Sequence, residues 1–92
     1  MEIDKNFFDE LCDRNIYDLP AGSVLDYLIL RSRMDEDTKT TTMSCGQIAK
    51  IRGTTYPGTH LQVARLVDAG LIEVVGSDEY RRNTYKFPLE FV

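Results

Sequence analysis

Apolar residues fall into five short periodic runs along this 92-residue chain, and polar stretches separate them. In "DKNFFDELCDRN", residues 4–15, Phe7, Phe8, Leu11 and Cys12 share one helical face, Asp4 is a suitable N-cap, and the opposite face is acidic. A second helix is predicted within residues 18–34. Val24, Leu25, Leu28, Ile29 and Ser32 form its inner face, and Ser23 with Asp26 reads as a capping box at its start, with Asp18 before Leu19-Pro20 as an alternative start. Arg31 and Arg33 at its end are explained by the helix dipole alone.

"DEDTKTTT", residues 35–42, breaks the pattern and reads as a polar loop running into a short β segment at Thr40–Met43. The next stretch, "SCGQIAKIRG", opens with Ser44 and Gln47, the S-x-x-Q capping box, and closes on Gly53, suited to a left-handed helix end. Ile48, Ala49 and Ile51 are its expected inward positions. Thr55 then caps a further helix, with Pro57 tolerated in the first turn, and Thr59, Val63, Leu66 and Val67 mark its core stripe. Gly70 ends it. "LIEVV" and "TYKFPLEF" are β-prone runs, and "GSDEYRRN" between them suits a hairpin loop, with Pro88 at a strand edge or end.

The predicted order is helix, helix, short strand, helix, tight turn, helix, β-hairpin: a mainly α protein with a small hairpin, class α+β. At this length one domain is expected over 1–92. It divides into an N-terminal amphipathic helix within 1–17, a helical core over 18–70 with a helix pair at 44–70, and the hairpin over 71–92.

Serine, aliphatic and glycine positions then carry a resemblance. Ser44, Ile48, Ala49 and Gly53, followed by Leu66, Gly70, Leu71 and Ile72, resemble the winged helix-turn-helix domains of bacterial and phage transcription regulators and replication initiators. The likeness covers residues 23–72, about half of the chain. It implies binding to double-stranded DNA, with the second helix of the pair in the major groove and the hairpin as a wing. Carried onto this sequence, the recognition helix presents Thr55, Tyr56, Pro57, Gly58, His60 and Leu61, with Gln62 and Arg65 at its flanks. Gln62 suits adenine, His60 or Tyr56 can reach a phosphate or base edge, and Leu61 offers only apolar contact, as to a thymine methyl. No Arg stands at the front of the helix to fork onto guanine, which departs from the common pattern. Lys50 and Arg52 beside the turn, with Arg81, Arg82 and Lys86 of the wing, are the expected phosphate contacts, opposed at the tip by Asp78 and Glu79. The apolar face of the first helix has two readings, packing on the core of the chain or pairing with a second subunit; a homodimer is expected, with Phe7, Phe8 and Leu11 as the candidate contact.

Charge qualifies this reading. The net charge of −4 is unevenly spread: residues 1–42 hold ten acids against five bases, a balance of −5, and residues 43–92 hold six bases against five acids, a balance of +1. An alternative therefore stands beside DNA binding: a protein-interaction module on the same scaffold, such as a phage-type effector that inhibits host machinery.

Other classes are expected to be absent. A lone His60 without a nucleophile signature, and scattered glycines without a phosphate loop, argue against an enzyme. One His and two isolated cysteines, Cys12 and Cys45, do not make a metal site, and no cofactor is implied. The cysteines are expected to be reduced thiols in a cytoplasmic protein. Neither a signal peptide nor a membrane span is read from the apolar runs, and no membrane partner is expected.

Overall fold

The computed structural model describes residues 5–88, apart from the side chain of Phe8. Its elements are α1 (Lys5–Asp13), a 3-10 turn (Ile16–Asp18), α2 (Ala21–Ser32), β1 (Thr40–Met43), α3 (Cys45–Arg52), α4 (Tyr56–Asp68), β2 (Glu73–Ser77) and β3 (Asn83–Lys86). The strands form one antiparallel sheet in the order β1-β3-β2, so the protein is α+β. Thr40 faces Lys86 and Met43 faces Asn83 in the β1–β3 pair. Between β2 and β3 the register shifts between Val74 and Gly76, a bulge at Val75.

Local signals set the helix boundaries around α3 and α4. The Ser44 hydroxyl accepts the Gln47 amide at 3.0 Å while the Gln47 side chain accepts the Ser44 amide at 2.9 Å, closing the expected capping box. Gly53 ends α3 at φ 72°, which lets the Thr54 amide reach back to the Ala49 carbonyl. Gly70 does the same after α4 at φ 76°, returning the Leu71 amide to the Leu66 carbonyl. That reversal sends Leu71 and Ile72 straight into the core before β2 begins.

Side chains from every helix and from the sheet meet in one core. Leu30, Ile48, Leu66, Leu71, Ile72 and Phe87 are buried there, and Tyr27 meets Phe87 edge to face at 5.6 Å. Phe7 and Leu11 of α1 belong to this core as well. Of the two readings of this face, packing within the chain is the one that Phe7 and Leu11 follow, and it corrects their assignment to a contact with a second subunit; the Phe8 side chain lies outside the described residues. Arg31 fastens α1 to α2: it donates to the Tyr27 hydroxyl at 3.0 Å, pairs with Glu10 at 3.4 Å, and lies 4.7 Å from the centre of the Phe7 ring. Its role is wider than a dipole contact at a helix end. The expected Asp4 cap lies outside the described residues.

The inner face of α2 is also rotated from the expected one. Ser23, Asp26, Tyr27 and Leu30 are buried, Val24, Leu28 and Ile29 are half-buried, and Leu25 is exposed. Ser23 and Asp26 do not cap the helix. It starts at Ala21, with Pro20 in the capping position and no side-chain cap. The two polar residues turn inward because partners on other helices meet them there. Ile51 departs from expectation too, and faces solvent at the end of α3.

Candidate functional site

The most distinctive surface is the first half of α4 with the neighbouring hairpin. Thr55 caps α4 by accepting the Gly58 amide at 3.2 Å, and Gly58 leaves room for that cap, since a Cβ there would stand 3.1 Å from the Thr55 hydroxyl. Thr59, Val63 and Leu66 turn to the core at helical spacing. Tyr56, Pro57, His60, Leu61 and Ala64 are therefore presented to solvent. The Tyr56 and His60 rings lie nearly parallel, 4° apart in plane, with centroids 6.3 Å apart. The outward face of the helix is thus aromatic and apolar.

Several expected contact residues have other engagements. The Gln62 side-chain oxygen accepts from the Ser23 hydroxyl at 2.6 Å and from Arg65 at 3.2 Å, which draws Gln62 and Arg65 along the side of α4 toward α2. The Arg52 Nε donates to Asp26 Oδ1 at 2.6 Å. The Ser23–Gln62 and Asp26–Arg52 contacts share one physical reason. Asp26 and Ser23 are fully buried, and a buried polar group without a partner is costly. Asp26 has one further consequence of burial: its carboxyl is pushed above the usual carboxylate range by desolvation, against the hydrogen bond and charge of Arg52. Its Oδ2 has no hydrogen-bond partner among the described residues.

Arg82, a second expected phosphate contact, also shapes the hairpin tip while its side chain stays 43% exposed. Its Nε donates to Asp78 Oδ2 at 2.7 Å, while Asp78 Oδ1 accepts the Tyr80 amide at 2.9 Å and the Arg82 amide at 3.0 Å. Loss of hydration pushes the Asp78 carboxyl up, but these amides and the guanidinium outweigh it and hold the group below its usual range. Asp78 thus organises the tip, where the sequence suggested that it merely opposes the arginines. With the loop held this way, Arg81 sits in the left-handed region at φ 61° and its side chain is exposed, as is that of Tyr80.

Lys50, Arg81 and Lys86 are exposed and have no ion-pair partner among the described residues. They are the cations of the expected set that stand ready for an external anion. Burial pushes the Cys45 thiol up, marking it as a neutral packing group, and both cysteines are free. Cys12 is exposed. Among the described residues no three His, Cys, Asp or Glu side chains converge, and no helix is long and apolar enough to cross a membrane.

The part of this arrangement that local sequence did not reveal is Ser23, Asp26 and the glycine beside them, Gly22. The available signal was a serine and an aspartate at helical spacing, which also fits a capping box. Comparison with known proteins brings no matching family model, no matching curated protein and no matching solved structure.

Proposed function

We propose that this chain is a winged helix-turn-helix protein that binds double-stranded DNA, acting as a small transcription regulator or replication accessory in the cytoplasm. The observation that carries the reading is the exposed first half of α4, capped and braced from behind, beside a hairpin whose ordered tip offers Arg81. In this mechanism α4 enters the major groove with Tyr56, His60 and Leu61 foremost. Lys50, Arg81 and Lys86 supply the salt-sensitive grip, and Arg52 and Arg82 act indirectly, by holding the turn and the tip in shape.

The test is a titration of labelled random-sequence duplex at two salt concentrations. Binding that weakens steeply with salt is expected. Arg81→Ala lowers the slope of log affinity against log salt by about 0.9, the share of one phosphate contact. Absence of duplex binding even at low salt overturns the reading.

Exposed Ile51, Tyr56 and Leu61, together with the net charge of −4, favour the alternative of a protein partner on the same face. That reading expects one host protein to be retained by the wild type, lost with Tyr56→Ala or Leu61→Ala, and kept with Arg81→Ala.

A further inference from the structure

The packing of α4 against the sheet leaves an apolar surface uncovered. Directly opposed residues of an antiparallel pair put their side chains on the same face. Val74 of β2 is opposed to Tyr85 of β3 in this way. Tyr85 is wholly buried, yet Val74 beside it is 51% exposed. The bulge at Val75 bends β2 directly after this residue, and α4 offers the short Ala64 across from it. A groove of about 230 Å³ results, with Val63, Ala64 and Val67 of α4 on one side, Val74 on the other, and buried Tyr85 and Cys45 as its floor. The polar atoms of this floor are engaged with one another. The Asn83 side chain donates to the Tyr85 hydroxyl at 3.2 Å, and that hydroxyl is hydrogen-bonded with the Cys45 thiol. The middle of the groove therefore suits an apolar body.

Fixed charge is confined to one end. Asp68, the last residue of α4, lines the groove and has no ion-pair partner among the described residues. No Lys or Arg lines it. The dipole of α4 adds negative potential at the same end, where an acidic side chain is unfavourable and a cation favourable. His60 lines the other end, about 12 Å away along the helix at 1.5 Å per residue. Size narrows the occupant further. A closed apolar cavity of roughly 150 Å³ takes one benzene, and sites for drug-sized ligands begin at roughly 300 Å³. This groove lies between them, with room for one ring and a short chain, and too little for a peptide segment.

We propose that the groove between α4 and the hairpin binds a small arylalkyl ammonium ion, with its ring against Ala64, Val67 and Val74 and its ammonium on the Asp68 carboxylate. The apolar walls take the ring, and the unpaired carboxylate at the negative end of the helix selects the charge. This inference goes beyond the DNA-binding reading and stands whether or not the protein binds DNA.

The experiment is a titration of the free protein with phenethylamine at neutral pH, followed by backbone amide shifts, with phenylacetate as a probe of like ring and opposite charge. Phenethylamine is expected to give saturable shifts at Val67, Asp68 and Val74, and phenylacetate to bind more weakly. Asp68→Asn is expected to weaken phenethylamine about fivefold, the worth of one well-placed exposed ion pair, and to narrow the gap between the probes. Ala64→Leu, a change at an exposed helical position, is expected to fill the groove and abolish the shifts while the rest of the spectrum stays native. Phenylacetate binding as tightly as phenethylamine in the wild type overturns the inference. So does the absence of saturable phenethylamine shifts, their survival in Ala64→Leu, or an affinity unchanged by Asp68→Asn.

Discussion

Two aspartate–arginine pairs of almost equal length do opposite jobs in this molecule. Arg52 meets Asp26 at 2.6 Å, and Arg82 meets Asp78 at 2.7 Å. The first pair joins the middle of α2 to the end of α3, with its carboxylate fully buried; the second closes one exposed hairpin turn. Burial raises the Asp26 carboxyl, whereas backbone amides and the guanidinium lower that of Asp78. Distance alone is therefore a poor guide to what an ion pair does. The buried pair fixes where one helix sits against another, and the exposed one fixes only a local shape.

Breaking the buried pair is expected to have the largest effect. Asp26→Ala leaves the Arg52 guanidinium without its partner and should cost about 3–5 kcal/mol in urea denaturation. The double change Asp26→Leu with Arg52→Met removes both charges and should cost much less. Equal losses in the two variants would show that the guanidinium left unpaired by Asp26→Ala adds no cost of its own. Next in size is Ser23→Ala, expected to cost about 1 kcal/mol through loss of the hydrogen bonds to Gln62, measured in the same way.

The pH dependence sharpens the contrast. Because the folded Asp26 carboxyl holds its proton more tightly than the unfolded one, its contribution is most favourable below the ordinary carboxylate pKa. That contribution is lost as pH rises through the raised folded value. Asp78 works in the other direction: its contribution is present above the unfolded value and lost as pH falls through the lowered folded one. Stability curves from about pH 3 to about pH 7, spanning the ordinary carboxylate range, should therefore change slope with opposite signs in Asp26→Asn and Asp78→Asn.

The smallest expected effect on global stability is that of Asp78→Ala. Its signature is faster amide hydrogen exchange at Tyr80 and Arg82, whose amides lose their acceptor, with α2 and α3 unchanged.

The parts of the fold legible in the sequence are those governed by neighbours in the chain. Ser44 with Gln47, Thr55, Gly53 and Gly70 mark the ends of α3 and α4, and each acts within a few residues of its own position. The core stripe of α4 and the short strand at Thr40–Met43 follow from the same local periodicity. Partners distant in sequence were not legible. Asp26 and Arg52 stand 26 positions apart, and Ser23 and Gln62 stand 39 apart, so the spacing within α2 suggested a cap where the fold has a seam. Phe7 and Leu11 teach a related lesson, since an apolar helical face does not name the surface that covers it. The candidate surface was accordingly half legible: Tyr56, His60 and Leu61 face outward as expected, while Arg52, Gln62 and Arg82 have internal partners.

The most direct measurement is a proton–nitrogen correlation spectrum of the side chains and backbone, recorded as duplex DNA is added at low salt. The Arg81 guanidinium and the backbone amides of Thr55, Tyr56 and residues 58–61 are expected to shift, while the Arg52 Nε–H and the Gln62 side-chain amide stay where they are in the free protein. Large shifts at Arg52 and Gln62, with Arg81 unmoved, would contradict it.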